Sequence, residues 1–150
     1  MKRNTARTLF ALAGVLLFAA CTDNNSTGIS GDASGTYNLA TVNNAPPPVI
    51  TFQDPTTTET LTGGNFTLNT DGSFSQTLAF DETVSGQTTS NSSTCTGTFS
   101  QSGGTIFFSE VTNGDPNCGG NYNGSWDGGD TLGLSLGSQF VLLFSKAGTP

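Results

Sequence analysis

Few residues in this chain of 150 residues are equipped for chemistry. It has no histidine, which removes the commonest general base and the commonest metal ligand. Three cysteines (Cys21, Cys95 and Cys118), 11 acidic residues and four basic ones remain. Two carboxylate pairs are close in sequence, Asp81-Glu82 and Asp127 with Asp130. A carboxylate pair can run glycoside hydrolysis, with one group as acid and the other as base or nucleophile. Here the first pair sits at an expected strand end and the second flanks an expected hairpin turn, where Asp is favoured because it bonds nearby backbone. Serine and threonine nucleophiles lack their usual activators, because Lys146 is the only base beyond Arg7. No enzymatic activity is therefore expected. Asp115, Asn117, Asn121 and Asn123 gather oxygen ligands around one loop, which suits calcium. The glycine and terminal glutamate of an EF-hand loop are missing, so a polar surface loop is the simpler reading. No metal or other cofactor is expected.

The bases Lys2, Arg3 and Arg7 open the chain, and every acidic residue lies at Asp23 or later. The formal net charge is −7. Such a surface repels phosphate backbones and argues against nucleic acid as a partner. An apolar run from Leu9 to Ala20 follows the basic start. It is shorter than the ~20 residues of a membrane span and reads as the core of a signal peptide over residues 1–20. An ordinary cleavage site asks for small residues, but bulky Phe18 stands three positions before Cys21. Leu17-Phe18-Ala19-Ala20-Cys21 instead resembles a bacterial lipobox. The resemblance implies a diacylglyceryl group on the Cys21 sulfur and, after cleavage, an acyl group on its amine. Two or more chains hold a protein stably on a membrane. Thr22 follows the cysteine, without the Asp that marks inner-membrane retention, so the expected address is the outer membrane.

With Cys21 lipidated, Cys95 and Cys118 remain, and in an oxidising compartment they most simply pair with each other. They are 23 positions apart, a loop worth roughly 3 to 3.5 kcal/mol in chain entropy. No base or histidine stands near either in sequence to lower a thiol pKa, which argues against a reactive pair.

The elements that must position these groups are strands. Residues 21–34 are polar and read as a flexible tether, and residues 35–146 as one domain. From Gly35 on, apolar residues alternate instead of recurring at three and four, and turn signals come at short intervals. Strands are expected at 35–42, 57–69, 73–84, 88–100, 105–111, 121–127, across Leu132, Leu134 and Leu136, and at 139–145. The segment 49–52 is extended but short. Asn43-Asn44-Ala45-Pro46-Pro47-Pro48 breaks the ladder after the first strand. In the second strand the apolar parity changes between Leu61 and Phe66. A one-residue bulge at Gly63-Gly64 would put both on one face with Leu68. Asp71-Gly72 suits a type I′ turn. Ile106-Phe107-Phe108 leaves the inner face of its strand ambiguous. The fold class is all-β, an eight-stranded antiparallel up-and-down meander that closes into a barrel and so removes exposed edges.

The segments Gly35-Thr36-Tyr37-Asn38-Leu39, Val42-Asn43-Asn44-Ala45-Pro46, the run from Gly64 to Phe74, Gly97-Thr98-Phe99, Gly104-Thr105-Ile106 and the run from Gly129 to Leu134 carry a resemblance. In order and spacing the chain resembles the bacterial lipocalin-like domain of small envelope lipoproteins, over about residues 35–146. The resemblance implies an eight-stranded closed or half-open barrel and assigns no activity. Gly35-Thr36-Tyr37 looks like the Gly-x-Trp that opens true lipocalins, with Tyr for Trp. Those proteins cover that ring with an Arg from the last strand, and here Lys146 is the candidate for a cation–π contact with Tyr37.

Two functions follow as expectations. A lipid-anchored barrel would bind a small apolar ligand, contacted by Phe74, Leu78, Phe99, Trp126 and Phe140. Alternatively its 11 phenylalanines fill the interior. The barrel would then be a structural module whose Thr, Ser and Asn surface touches envelope proteins or glycans.

Overall fold

The computed structural model of the protein describes residues 31–111, 118, 120–136 and 139–148. These residues hold nine strands and no helix. In chain order they are β1 (Gly35–Val42), β2 (Val49–Gln53), β3 (Thr57–Leu68), β4 (Ser73–Val84), β5 (Gln87–Ser102), β6 (Thr105–Val111), β7 (Gly120–Trp126), β8 (Thr131–Leu136) and β9 (Phe140–Lys146). From β3 to β9 each strand pairs antiparallel with the next. β1 closes the circle, pairing with β9 on one side and with residues 65–68 of β3 on the other. Eight strands thus form a closed up-and-down barrel, as the alternation predicts. β2 is the addition: it takes the other half of β3, from Thr58 to Leu61, where β1 no longer reaches.

Local chemistry explains the register. The β3–β4 ladder shifts between Leu61 and Gly63, and Leu61, Phe66 and Leu68 are all buried. This is the bulge that the parity change demands, with Thr62 as the extra residue, one position before the glycine pair expected to hold it. Asn43 and Asn44 both have positive φ and turn the chain so that Val42 and Ala45 bond each other. The turn before β4 differs from expectation. Only Gly72 has positive φ, and its N–H donates to the Asn69 carbonyl. A type I′ turn would need positive φ at Asp71 as well, so this is a longer turn closed by a left-handed glycine. Asp71 directs it by accepting from the backbone N–H of Ser73 at 2.8 Å.

Alternation then fills the interior. Phe66 stands at the centre of a ring cluster, 5.3 Å from Phe74, 5.1 Å from Phe108 and 5.9 Å from Phe144. Leu132, Leu134, Leu142, Ile106 and Val42 complete the packing. On β6 the ambiguity resolves: Ile106 and Phe108 are buried, and Phe107 faces out.

The two ends of the barrel differ. The turns at 69–72, 103–104 and 127–130 share one end, which is plugged. There the Trp126 indole N–H donates to the Gly129 carbonyl, and the Tyr37 hydroxyl donates to the Ala33 carbonyl. Gln101 accepts from the Ala33 N–H and donates to the Gly31 carbonyl. Ala33 is therefore a core residue, although the sequence places it in the tether. Lys146 Nζ lies 5.6 Å from the Tyr37 ring centroid, in the contact anticipated for it. At the opposite end the wall is uneven. β3, β4 and β5 have 12, 12 and 16 residues, against 7, 7, 6 and 7 in β6 to β9. The long hairpins rise as a wing above the mouth.

Candidate functional site at the barrel mouth

Toward the wing, the inward column of β4 reads Phe74, Gln76, Leu78, Phe80. Gln76 lies opposite Phe66 on β3 and Cys95 on β5. It is 6% exposed, the one buried polar side chain among the described residues. Its amide oxygen faces the Tyr122 hydroxyl at 3.5 Å, a long contact. A polar side chain at the mouth of a packed barrel is a place where the polar end of a ligand can be met.

Tyr122 and Glu110 stand beside it on the inner face of β7 and β6. Tyr122 lies opposite Phe108, and their rings stack at 5.0 Å. Glu110 lies opposite Gly97 and Gly120, and a Cβ at Gly97 would come within 2.9 Å of the Glu110 Cα. The Tyr122 hydroxyl donates to Glu110 Oε1 at 2.8 Å. Burial first, and then this bond to a carboxylate, hold the phenol protonated well above its ordinary range. The Cys95–Cys118 disulfide closes the same level of the wall, with a Cα–Cα distance of 5.4 Å. The expected pairing is formed.

Apolar side chains rim this polar floor. Leu78, Phe80, Val49 and Phe140 are half-buried against the core. Further up the wing Phe52 is largely exposed, paired with Glu59. Glu59 and Glu82 lie directly opposite each other on β3 and β4. Glu59 accepts from the Thr51 hydroxyl at 2.7 Å. The mouth is thus amphipathic: a donor, a phenol and a carboxylate at the floor, and apolar groups around them.

The sequence-adjacent carboxylates are not brought together. Asp81 and Glu82 are consecutive in one strand and so face opposite sides. Asp81 accepts from the Ser90 hydroxyl at 2.6 Å. Asp127 is a turn residue, accepting from the N–H groups of Gly129 and Thr131 at 2.9 and 3.0 Å. Those bonds hold its carboxyl below the ordinary aspartate range, the Thr131 bond most. Of the loop oxygens, Asn121 and Asn123 are on β7, while Asp115 and Asn117 lie outside the described residues. No group of three or more potential metal ligands occurs among the described residues. Cys21 and its leader also lie outside them.

The five lining candidates divide between the ends. Phe74 is buried in the ring cluster and Trp126 plugs the closed end. The Phe99 N–H bonds Gly72 at the closed-end turn. Leu78 and Phe140 alone reach the mouth. Gln76, Tyr122 and Glu110 escape a search for apolar lining. The available signal is a polar residue interrupting an apolar column, as Gln76 does.

No family model matches this chain, and no curated protein or solved structure matches it either.

Proposed function

We propose that this protein is a binding module that holds one small amphiphilic molecule at the mouth of the barrel, without turning it over. The apolar part rests on Leu78, Phe80 and Phe140, and the polar end meets Gln76, Tyr122 and Glu110. The observation that carries this reading is the buried Gln76 side chain set beside Tyr122 and Glu110 under an apolar rim. Ligand sites have this composition, mostly apolar with a few placed polar groups. The reading includes an acylated Cys21 that carries the barrel on the outer membrane, as the leader implies. It also includes kinship with the lipocalin-like envelope domains, which the closed eight-stranded wall and the Lys146–Tyr37 contact support. The alternative is a filled barrel that only displays its surface to envelope partners. It is favoured by the ring cluster and the Trp126 plug, which leave the lower interior packed.

The two readings separate with the neutral amphiphilic dye Nile red. It is titrated into the full chain carrying Cys21→Ala, exported to an oxidising compartment so that the anchor is absent and the disulfide forms. Saturable enhancement at one dye per chain, weakened about tenfold by Leu78→Lys or Phe140→Lys, is expected. Trp126 emission stays constant, since that ring sits at the other end. Dye binding indifferent to both substitutions refutes the mouth site. The anchor is tested apart from this: Cys21→Ala abolishes labelling by radioactive palmitate, and undiminished labelling refutes it.

A further inference from the structure

A second surface, on the outside of the wall, has its own chemistry. The register of β5, β6 and β7 sets Ser100, Phe107 and Asn123 side by side as one rung, and Thr98, Ser109 and Asn121 as the next. Because Ile106 and Phe108 point inward, the Phe107 ring points out, and it is 45% exposed. These six residues, with Phe99 and Phe108 between them, line a shallow concavity of about 380 Å³. At ordinary strand spacing the three strands make a patch ~10 Å wide, with rungs ~7 Å apart.

Two features of this patch bear on what it can hold. Elsewhere, facing threonines engage each other: Thr36 with Thr67 at 3.2 Å, Thr77 with Thr94 at 3.0 Å and Thr83 with Thr88 at 2.8 Å. Around Phe107 the side chains of Thr98, Ser100, Ser109, Asn121 and Asn123 have no hydrogen-bond partner among the described residues. They offer hydroxyls and amides that both donate and accept. The lining is also wholly uncharged, in a chain whose net charge is −7.

We propose that this face binds a neutral glycan, one sugar ring lying on Phe107 and its hydroxyls bonding Asn121, Asn123 and the flanking Ser and Thr side chains. A sugar ring matches the patch because it has an apolar C–H face and a rim of donors and acceptors. An apolar peptide would leave the five polar groups unpaired, at a cost for each. An ionic ligand would find no countercharge. Phe107 lies on the opposite side of the wall from Gln76, so this site does not depend on the mouth.

The test is an NMR titration of the same Cys21→Ala full chain with three neutral oligosaccharides: maltohexaose, cellohexaose and N-acetylchitohexaose. At least one is expected to shift the Asn121 and Asn123 side-chain amide signals saturably at millimolar concentration or below. Phe107→Ala weakens that binding about tenfold, the loss of one stacked ring, and Phe107→Trp retains it. Phe107 is exposed, so the variants keep the parent amide spectrum, and Nile red binding stays unchanged in both. Absence of saturable shifts from all three sugars overturns the proposal. Shifts indifferent to Phe107→Ala, or confined to Gln76 and its neighbours, overturn it equally.

Discussion

At Gln76 a polar side chain stands in a column otherwise made of Phe74, Leu78 and Phe80. Sequence shows that interruption, but not that Tyr122 and Glu110 arrive beside it from strands 30 or more positions away. The Tyr122 phenol has a consequence that pH reveals. Its folded-state pKa is raised, so the stability it contributes is complete below the ordinary phenol value, about 10. As pH rises above that value the unfolded chain ionises its tyrosine and the folded chain does not, so stability is lost. Tyr37 is shifted in the same direction, chiefly by burial. Thermal unfolding measured from about pH 8 to pH 11 should therefore show a falling Tm above about pH 10. Tyr122→Phe should flatten that fall and leave the part due to Tyr37. An unaltered slope in the variant would mean the phenol is not held as described.

The elements depend on positions where a side chain is absent. On β5 a Cβ at Gly97 would run into the Ser109 carbonyl oxygen and meet the Phe74 ring at 2.8 Å. The backbone oxygen cannot step aside without breaking the β5–β6 ladder. Gly97→Ala should cost about 2–3 kcal/mol, as overpacking of a tight core does. Gly63, just after the β3 bulge, has open space around it, so Gly63→Ala should change stability by less than about 0.5 kcal/mol. Urea denaturation of the pair checks the contrast, and equal losses would contradict the packing. That β3 holds a bulge was legible in sequence because a strand has period two, and a parity change within it needs one extra residue; its place at Thr62, one position before the glycine pair, was not. β2 was legible only as a short extended segment. Its status as a strand depends on a partner: β3 continues past the reach of β1 and leaves an edge to cover.

Across the whole molecule, the barrel closes through β1 and β9, the elements farthest apart in sequence, and the disulfide ties β5 to the connection before β7. Replacing Cys95 and Cys118 together with Ala should lower stability by about 3 kcal/mol, most of it through a less constrained unfolded chain. The folded wall should persist, because closure rests on strand pairing. Circular dichroism and urea melts of the double variant read both effects, and loss of the β spectrum at low temperature would show that the bridge is required for folding. Alternation, turn residues and cysteine count were enough to determine an all-β meander, its closure and its pairing of cysteines, because each depends on local periodicity or on elimination. Tertiary structure alone decided which end is plugged, that Ala33 belongs to the core, and that Gln76, Tyr122 and Glu110 share one mouth while Phe107 looks outward. Those facts depend on stagger between strands and on unequal strand lengths, and both are properties of neighbours that no single segment carries.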